Sequence, residues 1–269
     1  MSEMDSSNRR ASSSPGANSA GGKYVYCIIR LDRTRDFGEI GIGGGARVYT
    51  VNHDDLAAVV SDTPIVIYDP TRENVLAHEF VNETVMREFT LIPMSFGTVF
   101  RSEKDVAALL KSTYQAFTDV LEKMQDKIEF GLKILWDRDK VVASIERDND
   151  EIRRLKDEIT RNAASSTYFA RMQLGRLVEA AMEEASNRYV AHVHDQLKDV
   201  SVASRSNKVI GDRMILNAAF LVERKDEKSF DEKVKDISLK FEDLLTFKYT
   251  GPWPPYNFVN IKLKLEKAT

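Results

Sequence analysis

The chain has 269 residues, of which 42% are hydrophobic and 30% charged; 39 basic and 42 acidic side chains leave a net charge of −3. That length holds one large domain or two ordinary ones, in a composition usual for a folded globular protein. It excludes the basic surface that nucleic acid demands and a transmembrane helix, which needs ~20 apolar residues in a row; the single cysteine, Cys27, allows no intrachain disulfide and fits a reducing cytoplasm.

Residues 1–22 are rich in Ser, Ala, Gly and Asn. They lack the apolar core of about 7–15 residues that a signal peptide needs, and their composition predicts a disordered tail. Lys23 to Leu31 is β-branched and aromatic and reads as a central strand, apolar on both faces. A polar loop and Gly41-Ile42-Gly43-Gly44-Gly45 follow. Then come two strands, Arg47 to Val51 and Leu56 to Val60, joined by the turn Asn52-His53-Asp54-Asp55. Asp69-Pro70-Thr71 opens a helix, with Asp69 as the cap and Pro70 in the first turn. A short strand spans Thr90 to Pro93, and Phe96 to Phe100 continues extended, as a possible sheet edge. Ser102 caps a helix that runs to Met124.

Ile128 to Trp136 alternates as a strand. About sixty residues of helical character follow. A very polar helix contains Ile152, Leu155 and Ile159. A long one from near Ser166 carries an apolar stripe from Leu174 to Leu197. Together they predict a coiled-coil-like helical hairpin. Val200 to Ser204 and Met214 to Glu223 read as strands, Lys228 to Leu245 as a helix and Thr246 to Thr250 as the last strand. The predicted fold is α+β: two modified ferredoxin-like domains, 23–125 and 126–269, the second with a helical insertion at about 138–197.

The usual catalytic signatures fail in detail. The glycine run precedes a strand, whereas a phosphate loop opens a helix, so it reads as a turn. His78-Glu79 lacks the second histidine of a zinc motif, because position 82 is Asn82. Helical spacing sets His78 among Val75, Val81, Val85 and Met86, a core-edge histidine with Asn82 one turn on as a partner. His192 and His194 are 200° apart on a helix and cannot share an ion. The acidic pairs read as solvated turns and faces. No metal or other cofactor is expected.

Tyr249-Thr250-Gly251-Pro252-Trp253-Pro254-Pro255-Tyr256 is a stiff elbow that no helix interior or central strand would tolerate. It is expected to press Trp253 onto the core of the second domain. This block resembles the C-terminal signature of the gas vesicle accessory proteins of the F/L type. The resemblance recurs, in family order, at Lys23-Tyr24-Val25-Tyr26-Cys27-Ile28-Ile29, at Leu56-Ala57-Ala58-Val59-Val60-Ser61-Asp62, and from Leu91-Ile92-Pro93-Met94-Ser95-Phe96-Gly97 to Phe100. It implies a non-enzymatic role in nucleating and assembling gas vesicles, the gas-filled protein shells that give cells buoyancy. Its implied partners are the major shell protein, kept from aggregating, and other gas vesicle accessory proteins. Arg72, Pro93, Phe96, Gly97, Trp253, Pro254 and Tyr256 match the family's blocks, as fold-defining or partner-binding positions. An assembly factor and a shell constituent both fit. The competing class is an enzyme or small-ligand binder on the same scaffold.

Overall fold

The computed structural model describes residues 21–161 and 168–259. Nine elements make the first half: β1 (Gly22–Arg30), β2 (Asp36–Gly41), β3 (Ala46–His53), β4 (Leu56–Thr63), α1 (Arg72–Met86), β5 (Leu91–Pro93), β6 (Val99–Phe100), α2 (Glu103–Ser112) and α3 (Tyr114–Met124). Their antiparallel sheet has the order β2-β3-β4-β1-β5, with β6 also paired to β1. β1 is central, as its apolar run predicts. Tyr24 to Ile29 are all buried because helices cover both faces. Val81 and Val85 of α1 pack on the side of Tyr24, Tyr26 and Cys27. Val106, Leu110 and Phe117 of α2 and α3 pack on the side of Val25 and Ile28. Each such large apolar side chain contributes about 1.5–3 kcal/mol when fully buried.

The second half runs β7 (Lys127–Trp136), α4 (Arg138–Asp148), α5 (Asp150–Arg161), α6 (Tyr168–Lys198), β8 (Ala203–Ser206), β9 (Met214–Glu223), α7 (Glu227–Lys240) and β10 (Leu245–Trp253). Its antiparallel sheet has the order β10-β7-β9-β8. Ile128, Phe130, Leu132 and Ile134 are buried, as their alternation predicts. Phe130 stacks on Phe230 of α7 and on Tyr249 of β10, both at 5.3 Å. One apolar cluster runs without a break from Tyr24 and Val81 of the first half to Phe220 and Leu245 of the second.

Several elements differ from expectation. The tail was expected to end at residue 22; 1–20 lie outside the described residues, but Gly22 opens β1, paired with Thr63. The polar loop after β1 contains strand β2, an irregular edge strand whose outward positions are exposed. α1 begins two residues after Pro70, and its cap is Thr71, whose hydroxyl accepts from Asn74 N. Asp69 supplies only a backbone carbonyl, to Asn74 Nδ2 at 3.0 Å. The helix expected from Ser102 to Met124 breaks at Thr113 (φ −114°, ψ 13°), after two poor helix formers, Ser112 and Thr113. The strand expected from Val200 starts at Ala203. β10 runs on through Trp253, tolerating Pro252 because it lies at the sheet edge. The Gly251–Pro252 peptide is cis.

Candidate functional site

Most of the sequence-flagged positions converge on α1. His78 is 1% exposed on its inner face. Its Nδ1 lies 2.9 Å from Tyr24 Oη, and Asn82 Nδ2 reaches its Nε2 at 3.0 Å. With the amide donating to Nε2, the imidazole proton sits on Nδ1, and the ring also bonds the Met94 backbone. The same Asn82 amide donates to Tyr256 Oη at 2.9 Å, and Tyr256 donates to Glu79 Oε1 at 3.2 Å. Gly97 N donates to Tyr24 Oη at 2.9 Å, with a φ of 80° that favours glycine in this turn. A polar chain thus links β1, the turn after β5, α1 and the C-terminal elbow.

Burial governs the protonation of this chain. It depresses His78 to about 4 and pushes the Tyr24 phenol up to about 12. Burial also raises the Glu79 carboxyl above its usual range and the Tyr256 phenol well above its own. At neutral pH His78 is uncharged, with both ring nitrogens engaged inside the fold. Glu79 Oε2 and Asn82 Oδ1 are buried without a hydrogen-bond partner among the described residues.

Phe96 packs edge-on to His78 at 5.8 Å, joining the same cluster. Pro93 pairs with Cys27 at the end of β5. Arg72 is exposed at the start of α1, apart from the others. Pro254 is buried, and Trp253 is only partly so. The expectation that Trp253 clamps the second half's core is corrected. Because β10 continues past a bulge to pair Trp253 with Glu129, the indole lines a groove against α1 instead. Tyr256 is the residue that anchors the elbow.

Glu129 is a buried anchor for the chain after the elbow that alternation along β7 concealed. It is 4% exposed, and its carboxylate accepts from Asn257 N at 2.7 Å and Asn257 Nδ2 at 2.6 Å. Burial raises its carboxyl, partly offset by those two donors. A Cβ on Gly251 would meet Phe130 Cδ1 at 2.8 Å and Glu129 O at 2.9 Å, at a φ of 126°. Only glycine fits there.

Two surfaces flank the polar chain. One is a groove of about 590 Å³ whose apolar floor includes Ile40, Leu76, Phe80 and Trp253. The glycine turn walls it, joining β2 to β3 with left-handed φ at Gly43, Gly44 and Gly45. The other is a shallow depression lined by Ile65, Val66, Ile67, Tyr68, Phe96 and Val99. In it Ile65, Val66 and Ile67 are 57, 50 and 95% exposed. His192 and His194 lie on α6 and point to different partners: one ring meets Phe241 at 5.4 Å, the other bonds Ser204 Oγ at 2.8 Å. Among the described residues no cluster of three or more His, Cys, Asp or Glu side chains is arranged to hold a metal. No helix there is long and apolar enough to cross a membrane.

The model of one family, "Gas vesicle synthesis protein GvpL/GvpF", matches residues 22–260. Gas vesicle protein F1 of Halobacterium salinarum is 31% identical over 247 residues, covering 91% of this chain and 95% of its own. Gas vesicle protein F of Haloferax mediterranei is 28% identical over 89% of this chain and 94% of its own. The crystal structure of GvpF from Anabaena sp. PCC7120 superposes with a TM-score of 0.78 at 24% identity, over 90% of this chain and all of that one. The mixed α/β fold with antiparallel sheets is therefore that of a solved GvpF.

Proposed function

The chain belongs to the gas vesicle synthesis protein GvpL/GvpF family, and from that premise we propose a non-enzymatic role in nucleating and assembling the gas vesicle shell. In this reading it binds the small, very apolar major shell protein and covers its apolar faces before it polymerises. It works in the cytoplasm and at the vesicle, alongside other gas vesicle proteins. The observation that carries the reading is the run Ile65-Val66-Ile67, held out beside Phe96 and Val99. Three consecutive branched apolar side chains in water mark a protein-binding surface. Burying Ile67 fully would contribute about 1.5–3 kcal/mol, and the half-exposed Ile65 and Val66 about half that each. Phe96 and Gly97 shape this surface, while Trp253, Pro254 and Tyr256 hold the elbow that braces α1 behind it.

We read the architecture as two α+β domains, 23–125 and 126–269. The strand order supports a modified ferredoxin-like plan for both. β10-β7-β9-β8 is the order fourth-first-third-second. Without edge strand β2, the first sheet keeps the same order, β5-β1-β4-β3. There, β2 and the glycine turn replace the first crossover helix. In the second half α4, α5 and α6 swell that crossover, with the helical hairpin of α5 and α6 as an insertion.

Co-expression with the major shell protein of the same vesicle cluster, followed by affinity purification of this chain, tests the proposal. The wild-type chain retains the shell protein. Ile65→Ser/Ile67→Ser loses it with a melting temperature within a few degrees of wild type, since both positions are exposed. Retention by this variant, or no retention by wild type, overturns the reading.

A further inference from the structure

The groove behind Trp253 has a chemistry distinct from that of the shell-binding surface. Its apolar floor is rimmed by four carboxylates, Glu39, Glu73, Glu79 and Glu83, and no lysine or arginine lines it. Among the described residues none of the four forms a salt bridge, unlike Glu88, which takes Arg35 at 2.8 Å. Glu79 Oε2 is buried at the wall with no donor among the described residues. Leu76 and Phe80, one turn apart on the outer face of α1, are 56 and 46% exposed. An apolar floor gives a free cation nothing to hold. Four carboxylates without a salt bridge among the described residues repel an anionic lipid surface or a nucleic acid. What fits both features is a peptide with apolar side chains for the floor and cationic ones for the rim.

We propose that this groove docks an apolar segment bordered by lysine or arginine from a second protein. The apolar side chains seat on Leu76, Phe80 and Trp253. The cations reach Glu73 and Glu83 at the rim. The groove's lining residues are distinct from those of the surface at Ile65–Ile67, so the chain holds two partners of different chemistry at two sites.

The test is selection of short random peptides on the full-length chain, in parallel with Leu76→Ser/Phe80→Ser. Peptides that need the groove are expected to carry an apolar core with Lys or Arg at its borders. A synthetic copy of the consensus should bind about tenfold more weakly to Glu73→Lys/Glu83→Lys, with the loss shrinking at high salt. Binding should persist in Ile65→Ser/Ile67→Ser, so failure here and failure of shell binding are told apart. Uncharged or acidic groove-dependent peptides, the absence of any groove-dependent peptide, or indifference to the charge reversal would each overturn the proposal. So would a rise in affinity of about tenfold on removing residues 260–269. Lys262 and Lys264 alternate there with Ile261, Leu263 and Leu265, and such a rise would make the groove's occupant the chain itself.

Discussion

His78 shows how a residue that looks catalytic becomes structural. Its environment disfavours the imidazolium, because burial removes water and the hydrogen bond to the Met94 backbone offsets only part of that loss. The consequence for stability has a definite sign. In the unfolded chain the imidazole takes a proton near 6.5, whereas in the fold it does so only near about 4. Between those values the unfolded state binds more protons, so stability falls as pH drops through the window. The full effect is about 3 kcal/mol, from roughly 1.4 kcal/mol per pKa unit. Glu79 and Glu129, raised by burial, act in the opposite direction as they protonate. The difference between wild type and His78→Gln isolates the histidine. We expect urea midpoints of the two proteins to converge as pH falls from 7 towards 4, the wild type losing its advantage. A constant gap would show that His78 is not held neutral.

At the level of elements, the elbow and α1 form one unit although 174 residues separate Asn82 from Tyr256. The phenol both accepts from Asn82 and donates to Glu79. Tyr256→Phe keeps the ring and removes both bonds, leaving buried polar groups short of partners. The expected cost is about 1–3 kcal/mol. Combined with Asn82→Ala it should be non-additive, because the two share a bond; additive losses in urea unfolding would deny the link. Such pairing is invisible in sequence, since it depends on where the chain returns. What was legible was local. β1 announced itself by being apolar on both faces and α6 by its stripe. β2 was hidden because Asp36-Phe37-Gly38-Glu39-Ile40-Gly41 is a twisted edge with glycines and outward charges. Glu129 was hidden because its burial comes from Asn257 and not from its own strand. The groove needed Ile40, Leu76 and Trp253 to meet from three distant segments.

In the whole molecule, the two halves are joined more tightly than two beads on a linker. A single apolar cluster includes Tyr24, Val85, Phe130 and Phe230. Arg224 Nη2 donates to Met86 O at 3.1 Å, and Val259 packs on the cluster beneath α2 and α3. Exposing either sheet would uncover apolar surface of the other, so neither half gains by unfolding alone. We therefore expect one cooperative transition. In a Trp253→Phe background Trp136, 6% exposed in the second sheet, is the sole tryptophan and reports on that half. Its fluorescence transition in urea and the exchange of β1 amides in the first half should give free energies within about 1 kcal/mol of each other, as members of one unfolding unit do. Shell protein bound at Ile65–Ile67 should then stabilise Trp136 as much as β1, because binding to the native state is felt by everything that unfolds with it. β1 amides that stay protected after Trp136 is exposed would show that the halves unfold separately and that binding at Ile65–Ile67 stabilises only the first.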